Sequence, residues 1–417
     1  MNRAFSNTRH FIRRCPAVLV LTLASLCLAV TGESEPNAPV APVYHIYAGN
    51  THSHTSYTWS HGVQWPSSPS NKMVVKDATS YPGPNAVPKP DWKKVQGPPT
   101  EHFARAKAQG YDFYFVTDHS QEASLQPVSP TNPAWVDTGK AAAAATDSHF
   151  LAVRGFENSE NNGPGGKGHL NVLNSAEYLS ALSPGIDLPY LYKWLKTARP
   201  DGAGPVVASF NHPGPHQYND WAHRDPQITD IITLLEVINS NTKIHYDAFV
   251  NALDKGWKVA PICGNDNHGI GGITQHTSRT FVLATGLTKG ALLEALQHRR
   301  TYAALDGNIQ CRYSVNGAIM GSTLDRPDVF HFAITIRDPD TSKPGDRITK
   351  LDIVKDGGQV VETYRPAPAY RVTWDPTIKD AANHYFFVRV WNERGGDAAG
   401  GNPNEPIAWL APVWTGR

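Results

Sequence analysis

Along the chain, short apolar runs keep closing on polar, metal-capable residues. Between Tyr44 and His268 these runs are "YHIYAGNTHSH", "YDFYFVTDH", "HFLAVRGFEN", "GHLNVLN", "PVVASFNHPG", "IITLLEVINS" and "WKVAPICGNDNH". Each has the length and the apolar content of a buried strand. Stretches of helical spacing separate several of them. "TEHFARAKAQG" takes Thr100 as N-cap and Gly110 as stop. "DLPYLYKWLKTAR", "YDAFVNALDKG" and "TKGALLEALQHRR", the last with Thr288 as N-cap, are further helices. Buried strands alternating with helices predict an α/β domain over residues 44–306, with a parallel sheet closed as a barrel. Residues 63–99, rich in Pro, Ser and Gly, read as a long loop insertion that covers a site.

After Gly307 the period changes to near two. "VFHFAITIRD", "KLDIVKDGGQVVETY", "AYRVTWD" and "HYFFVRVWNE" are joined by Gly, Asp and Pro turns, with a hairpin signal at "KDGGQ". Residues 307–417 therefore read as a second domain, an antiparallel β-sandwich. The only low-complexity tract is "AAAAA" at 141–145.

At the other end, Arg3, Arg9, Arg13 and Arg14 precede the apolar run "PAVLVLTLASLCLAV". That run is short for a membrane span and is followed by small residues. Residues 1–31 read as a signal peptide that exports the protein to a periplasm, and 32–43 as an extended Pro-rich segment. The chain carries net charge +1, with 38 basic and 37 acidic residues. The 1–31 segment holds basic residues and no acidic one, so the remainder is slightly acidic. Nothing in that balance favours nucleic acid or a membrane surface once the signal is gone. Two of the four cysteines, Cys263 and Cys311, lie beyond the signal, too few for a thiolate metal site.

The chemistry lies at the strand ends. His52 and His54 are two apart on an extended segment, so both imidazoles reach one ion. His61 follows nearby. His119, Glu157 and His212 end their runs, His169 opens one, and Asp266 and His268 are again two apart. In a parallel barrel such ends meet at one mouth. A histidine-rich set with Glu and Asp and without thiolate suits zinc, manganese or iron. The donors outnumber what one ion takes, so two or three divalent ions are expected, with Glu157 or Asp266 shared. Asp118 reads as a residue that fixes a ring nitrogen. His102 and His298, on amphipathic helices, read as solvated.

In order, "THSHTS", "VTDH", "GFE", "FNHPG" and "GNDNH" resemble the motifs of the polymerase and histidinol phosphatase (PHP) family. The resemblance covers roughly residues 44–305. It implies a distorted (β/α)7 barrel, phosphoester hydrolysis and a di- or trinuclear metal site. It implies His52, His54, Glu157 and Asp266 for one ion, Glu157, His169 and His212 for a second, and His119, His268 and His61 for a third. Asn50 stands where the family commonly has Asp, and His61 sits one residue further on than the family's spacing. The tail also resembles the exported branch with carbamate hydrolases of the CehA/McbA type.

These readings predict a metal-dependent phosphodiesterase with a metal-bridging hydroxide as nucleophile. Asp266 is a catalytic carboxylate, and His61 or His216 protonates the leaving group. Arg154, Lys167, Arg279 and Arg299 are candidates for holding an anion. Trp59, Trp65 and Trp92 are candidates for an apolar wall. The substrate is then a small-molecule ester. A carbamate or carboxylic ester hydrolase is the rival reading, and a metal-stabilised binding protein without turnover is the rival of another class.

Overall fold

A computed structural model describes residues 42–58, 92–159, 166–181, 183, 185–241, 243–396 and 404–417. The signal peptide, the Pro-rich segment up to 41, and most of the 63–99 insertion lie outside the described residues, as do Trp59, His61 and Trp65. Among the described residues no helix is long and apolar enough to cross a membrane.

The seven strand-like runs all form strands: β1 (His45–Asn50), β2 (Phe113–Val116), β3 (Leu151–Asn158), β4 (His169–Leu173), β5 (Val207–Asn211), β6 (Ile232–Asn239) and, after the short β7 (Lys243–Ile244), β8 (Ala260–Gly264). Two more follow, β9 (Arg279–Ala284) and β10 (Thr301–Ala304). The helices are α1 (Trp92–Gln96), α2 (Pro99–Ala108), α3 (Pro133–Ala145), α4 (Leu188–Leu195), the short α5 (Tyr218–Trp221) and α6 (Pro226–Thr229), α7 (Tyr246–Asp254), α8 (Ile270–Gln275) and α9 (Lys289–Gln297). The fold is mixed α/β around a large, parallel-rich sheet. β1, β2 and β3 run parallel, as do β5, β6 and β8.

The expectation of a uniformly parallel sheet is corrected at β4, which runs antiparallel to both β3 and β5. That reversal explains why His169 opens its strand while the other candidate ligands end theirs. An antiparallel strand brings its start to the edge where its neighbours finish. β8, paired with β6 on one side, meets β9 on the other through the Thr280 hydroxyl. That hydroxyl accepts from Cys263 N at 2.8 Å and donates to Cys263 O at 2.7 Å.

The C-terminal part is β11 (Gln310–Val315), β12 (Ala318–Ile319), β13 (Val329–Arg337), β14 (Ile348–Lys355), β15 (Gln359–Tyr364), β16 (Arg371–Trp374), β17 (Thr377–Lys379), β18 (Tyr385–Asn392), β19 (Ala408–Leu410) and β20 (Val413–Trp414). One antiparallel sheet has the order β12-β11-β13-β16, with β17 beside β13. It faces β18 through Phe330, Phe332 and Phe386. The second sheet, β15-β14-β18-β19, is continuous with the N-terminal sheet because β19 pairs with β10. Backbone pairing thus runs across the position expected to part the two domains.

Some local readings change. α2 starts at Pro99 with no side-chain cap, and Thr100 lies inside the helix. Proline suits that first position because its missing N–H would be unbonded there. His102 is fully buried and its Nε2 lies 2.7 Å from the Gln96 carbonyl, so it is not solvated. It belongs to the stripe Pro99, His102, Phe103 and Ala106, the spacing of one helix face. His298 is exposed, as expected. "AAAAA" closes α3, which Asn132 caps by accepting from Ala134 N and Trp135 N. Cys263 and Cys311 are both buried and unbonded to each other.

Candidate metal centre

The ends of β1, β2, β3, β5 and β8 and the start of β4 supply one buried cluster. His52 and His54 are fully buried, as is Glu157, and His119, His169 and His212 nearly so. Asp266 and His268 are the most open members, with side chains 21% and 16% exposed. They border a cavity of about 350 Å³ that Asn265, Asn267 and Val95 also line. Two of these residues, His212 (φ 29°) and Asp266 (φ 48°), sit in the left-handed region. Non-glycine residues stay there only where surrounding structure holds them, commonly at functional sites.

His52 Nε2 lies 3.0 Å from His54 Nε2, and His54 Nε2 lies 3.0 Å from Asp266 Oδ1. Glu157 Oε1 is 3.3 Å from His52 Nε2, Asp266 Oδ1 is 3.5 Å from it, and Glu157 Oε2 is 3.7 Å from His54 Nε2. A tetrahedral ion with bonds of about 2.1 Å sets its donor atoms about 3.4 Å apart. The cluster therefore has the spacing that a metal imposes. Glu157 also faces two further groups. Its Oε1 is 3.2 Å from His169 Nδ1 and 3.4 Å from His212 Nε2, and its Oε2 is 3.1 Å from His119 Nε2. His54, His119 and His268 bring ring nitrogens together as another group of three. His54 Nδ1 is buried without a hydrogen bond. A donor atom orphaned in this way fits a missing ion, because buried polar atoms are otherwise paired.

The carboxylates and imidazoles of the cluster shift one another's pKa values strongly. Burial alone would lower the His52 pKa, but the carboxylates of Glu236, Glu157 and Asp266 outweigh it and hold the ring well above its usual value. His119 is likewise pushed to about 9 despite burial, by hydrogen bonds to Glu122 and Glu157. Burial works to raise Glu157 and Asp266, yet the surrounding imidazoles hold both carboxyls well below their usual range. Burial drives His268 down to about 4 and His54 well below normal. His52 and His119 are thus the rings that favour the charged form, and His54 and His268 the neutral one.

A second ring of residues aims the first. Glu236, fully buried on β6, accepts from His52 Nδ1 at 2.6 Å and from the His212 N–H at 2.9 Å. Glu122 Oε1 lies 3.3 Å from His119 Nδ1. Such carboxylate–histidine pairs fix which ring nitrogen is left to bind. Asn211 donates to Glu157 Oε1 at 2.9 Å and Asn239 to Asp266 Oδ2 at 3.2 Å. Asn50 joins the first and last motifs. Its carbonyl oxygen accepts from Asn265 N at 2.8 Å, and its amide donates to His52 O at 2.9 Å. An aspartate there has no N–H to donate, which gives the asparagine a physical reason. Asp118 does not fix a ring nitrogen. It accepts from Thr55 N, Thr55 Oγ1 and Thr58 Oγ1 at 2.7–2.8 Å and so pins the loop after His54.

Glu236 and Glu122 went unread in the sequence, and Asn50 was read only as a departure from the family's motif. Glu236 had a signal, since it is the lone charge in the run "IITLLEVIN".

The expected anion holders are engaged elsewhere. Arg154 bonds Trp135 O and Asp201 and lies over the Trp135 ring. Arg279 donates to His276 O and Ser278 O and covers Tyr111. Arg299 donates to Lys258 O and Thr229 O. Lys167 is buried next to the Gly168–His169 turn with its Nζ 3.2 Å from Ile186 O. His216 is exposed and paired with Asp220 at 2.8 Å.

No protein-family model and no curated protein matches the chain. Among solved structures it is similar to a two-domain protein from Bacteroides vulgatus containing a predicted PHP-like metal-dependent phosphoesterase. That likeness has 16% identity and a TM-score of 0.41, over 88% of this chain and 95% of that one. It is also similar to the lesion-specific endonuclease PfuEndoQ from Pyrococcus furiosus, at 11% identity and a TM-score of 0.30, over 61% of this chain and 56% of that one. Both likenesses are loose.

Proposed function

We propose that the protein is a PHP-type hydrolase that uses two or three divalent ions, of zinc, manganese or iron, to cleave phosphodiesters. One observation carries the reading: donor atoms from three distant strand ends, on His52, His54, Glu157 and Asp266, lie 3.0–3.7 Å apart. The PHP-like motif order and the side-chain link between β8 and β9 support closure of the sheet as that family's barrel. Export to a periplasm belongs to the same proposal.

His52, His54, Glu157 and Asp266 would hold one ion, and Glu157, His169 and His212 a second. His54, His119 and His268 offer a third group. When bound, such ions supply an acidified water and neutralise the charge that develops on the phosphoryl oxygens. The chain's own work is to hold the donors. Glu236 and Glu122 fix the His52 and His119 rings, and Asn211 and Asn239 fix the two carboxylates. Asp266, at the open edge, borders the cavity through which an ester arrives.

A diester fits better than a monoester. A doubly charged monoester favours a guanidinium clamp. Arg154, Arg279 and Arg299 are instead committed to backbone carbonyls. The test compares kcat/KM for an aryl phosphodiester, phosphate, carbamate and acetate with one common leaving group. The diester is expected to lead. A carbamate or acetate ahead by more than about tenfold, roughly 1.4 kcal/mol of transition-state preference, moves the protein to the carbamate or carboxylic ester hydrolases.

A further inference from the structure

Three acidic side chains meet where the two C-terminal sheets join. Asp306 follows β10, Asp338 follows β13 and Asp346 precedes β14. β10 and β14 belong to the large sheet and β13 to the second. One carboxylate oxygen from each lies within 4.8 Å of the others. Asp338 and Asp346 have no exposed surface, and Asp306 has almost none. Charges buried in this way need compensation. Asp306 Oδ1 accepts from Asn308 N and Ile309 N, both at 3.0 Å. Asp346 Oδ1 accepts from the Arg394 guanidinium, which also lies 3.5 Å from Asp306 Oδ2. Lys343 Nζ is 3.6 Å from Asp346 Oδ2. Both cationic side chains are about half in solvent, Arg394 at 43% and Lys343 at 51% exposed, so they offset three buried carboxylates only in part. Asp338 is served least. Its Oδ1 accepts from Asp340 N at 2.8 Å, and its Oδ2 is buried without a hydrogen bond. Burial first, and then the charges of Asp306 and Asp340, push its carboxyl up from the usual value.

We propose that Asp306, Asp338 and Asp346 bind one calcium ion, which pins the β10–β11 turn to the β13–β14 loop. The site shares no residue with the histidine cluster and does not depend on the phosphodiesterase reading. All its donors are oxygens, with no imidazole or thiolate, and such a set selects a hard cation. Two donors on one calcium, with bonds of about 2.4 Å, lie at most about 4.8 Å apart, which the three carboxylates satisfy. Magnesium demands near-ideal octahedral geometry, whereas calcium tolerates donors set by separate loops. The buried, unbonded Asp338 Oδ2 gains a partner that no side chain supplies. Arg394 gives way on its long, half-exposed stem, and water completes the coordination.

The experiment titrates calcium into the full chain by calorimetry, with the histidine cluster loaded with zinc beforehand to keep calcium off it. About one calcium per chain is expected, with a Kd below about 1 mM and magnesium at least about tenfold weaker. The Tm should rise by about 2 °C or more in about 5 mM calcium. Asp338→Asn should raise the calcium Kd at least about tenfold, yet leave the Tm in calcium-free buffer unchanged or higher, because it removes a buried charge that lacks a partner. Arg394→Met removes the competing guanidinium and should tighten calcium binding several-fold. No calcium binding by wild type overturns the inference and leaves Arg394 as the cation of the three carboxylates. An Asp338→Asn Kd within about twofold of wild type overturns it too, since the ion then binds elsewhere. Magnesium binding as tight as calcium overturns the choice of ion. Should Asp338→Asn fail to fold, Arg394→Met decides: tighter binding supports the site, and unchanged or weaker binding overturns it.

Discussion

Glu236→Gln tests whether the histidine cluster is held for metal. Glu236 is fully buried and takes two short bonds, from the His52 ring at 2.6 Å and from the His212 backbone at 2.9 Å, and a longer one from the Asn239 amide at 3.3 Å. Glutamine keeps the shape but offers one acceptor oxygen and one NH2. Whichever way the amide turns, one of the two donors faces an N–H and loses its bond. A hydrogen bond to a charged group contributes about 1.5–3 kcal/mol. Removing a carboxylate behind a metal-binding imidazole typically costs about 10–100-fold in metal affinity. The two estimates agree, since that range is about 1.4–2.8 kcal/mol. The expected result is a 10–100-fold rise in metal Kd, measured by competition with a chromophoric chelator, with the circular dichroism spectrum retained. Glu122→Gln, behind His119, should act the same way with a smaller effect, because its contact is longer at 3.3 Å. An unchanged Kd in Glu236→Gln would mean that His52 binds no metal through Nε2.

Asp266→Asn and His54→Ala should each lower metal-dependent turnover by at least about 100-fold while the chain stays folded, since both are donors outside the apolar cores. Gly264→Ala places a Cβ 1.9 Å from Glu236 Oε1 and 2.9 Å from His52 Cβ. It should weaken metal binding as Glu236→Gln does and destabilise the fold by about 1–3 kcal/mol, read from denaturant titration. Metal affinity should climb with pH. His119 holds its proton up to about pH 9 in the metal-free chain, because hydrogen bonds to Glu122 and Glu157 outweigh its burial. An ion must displace that proton and the one His52 holds, so chelator competition should show affinity rising by at least about tenfold per unit from pH 6 to 8. A flat profile over that range would remove both His52 and His119 from the ligands.

Much of this was legible because buried strands are written in runs. "FYFV", "VVASFN" and "APICG" are too apolar and too short to be anything but strands between turns, and all became strands. His52/His54 could be read as a pair because a two-residue step in extended chain keeps one face, whereas Asp266 adopts the left-handed region and its pairing with His268 has another geometry. Other features leave weaker traces. The direction of β4 depends on what "HLNVL" pairs with, and no periodicity encodes that. The pairing of β10 with β19 joins residues about a hundred positions apart, across a change of pattern that reads as a boundary. His102 has a polar side chain, yet its place at i+3 from Pro99 on α2 puts it on the buried face. Glu236 is the instructive miss: a charge inside a fully buried strand needs a partner. The sequence shows the charge without showing that His52, far away in the chain, is that partner.

The most direct test of the central claim is a metal titration of chelator-stripped protein, with hydrolysis of an aryl phosphodiester followed at each addition. The account predicts no turnover at the start, a rise as zinc, manganese or iron is added, and a plateau at two or three ions per chain. Bound metal that stays below one ion per chain, or turnover that ignores the ion, would contradict it.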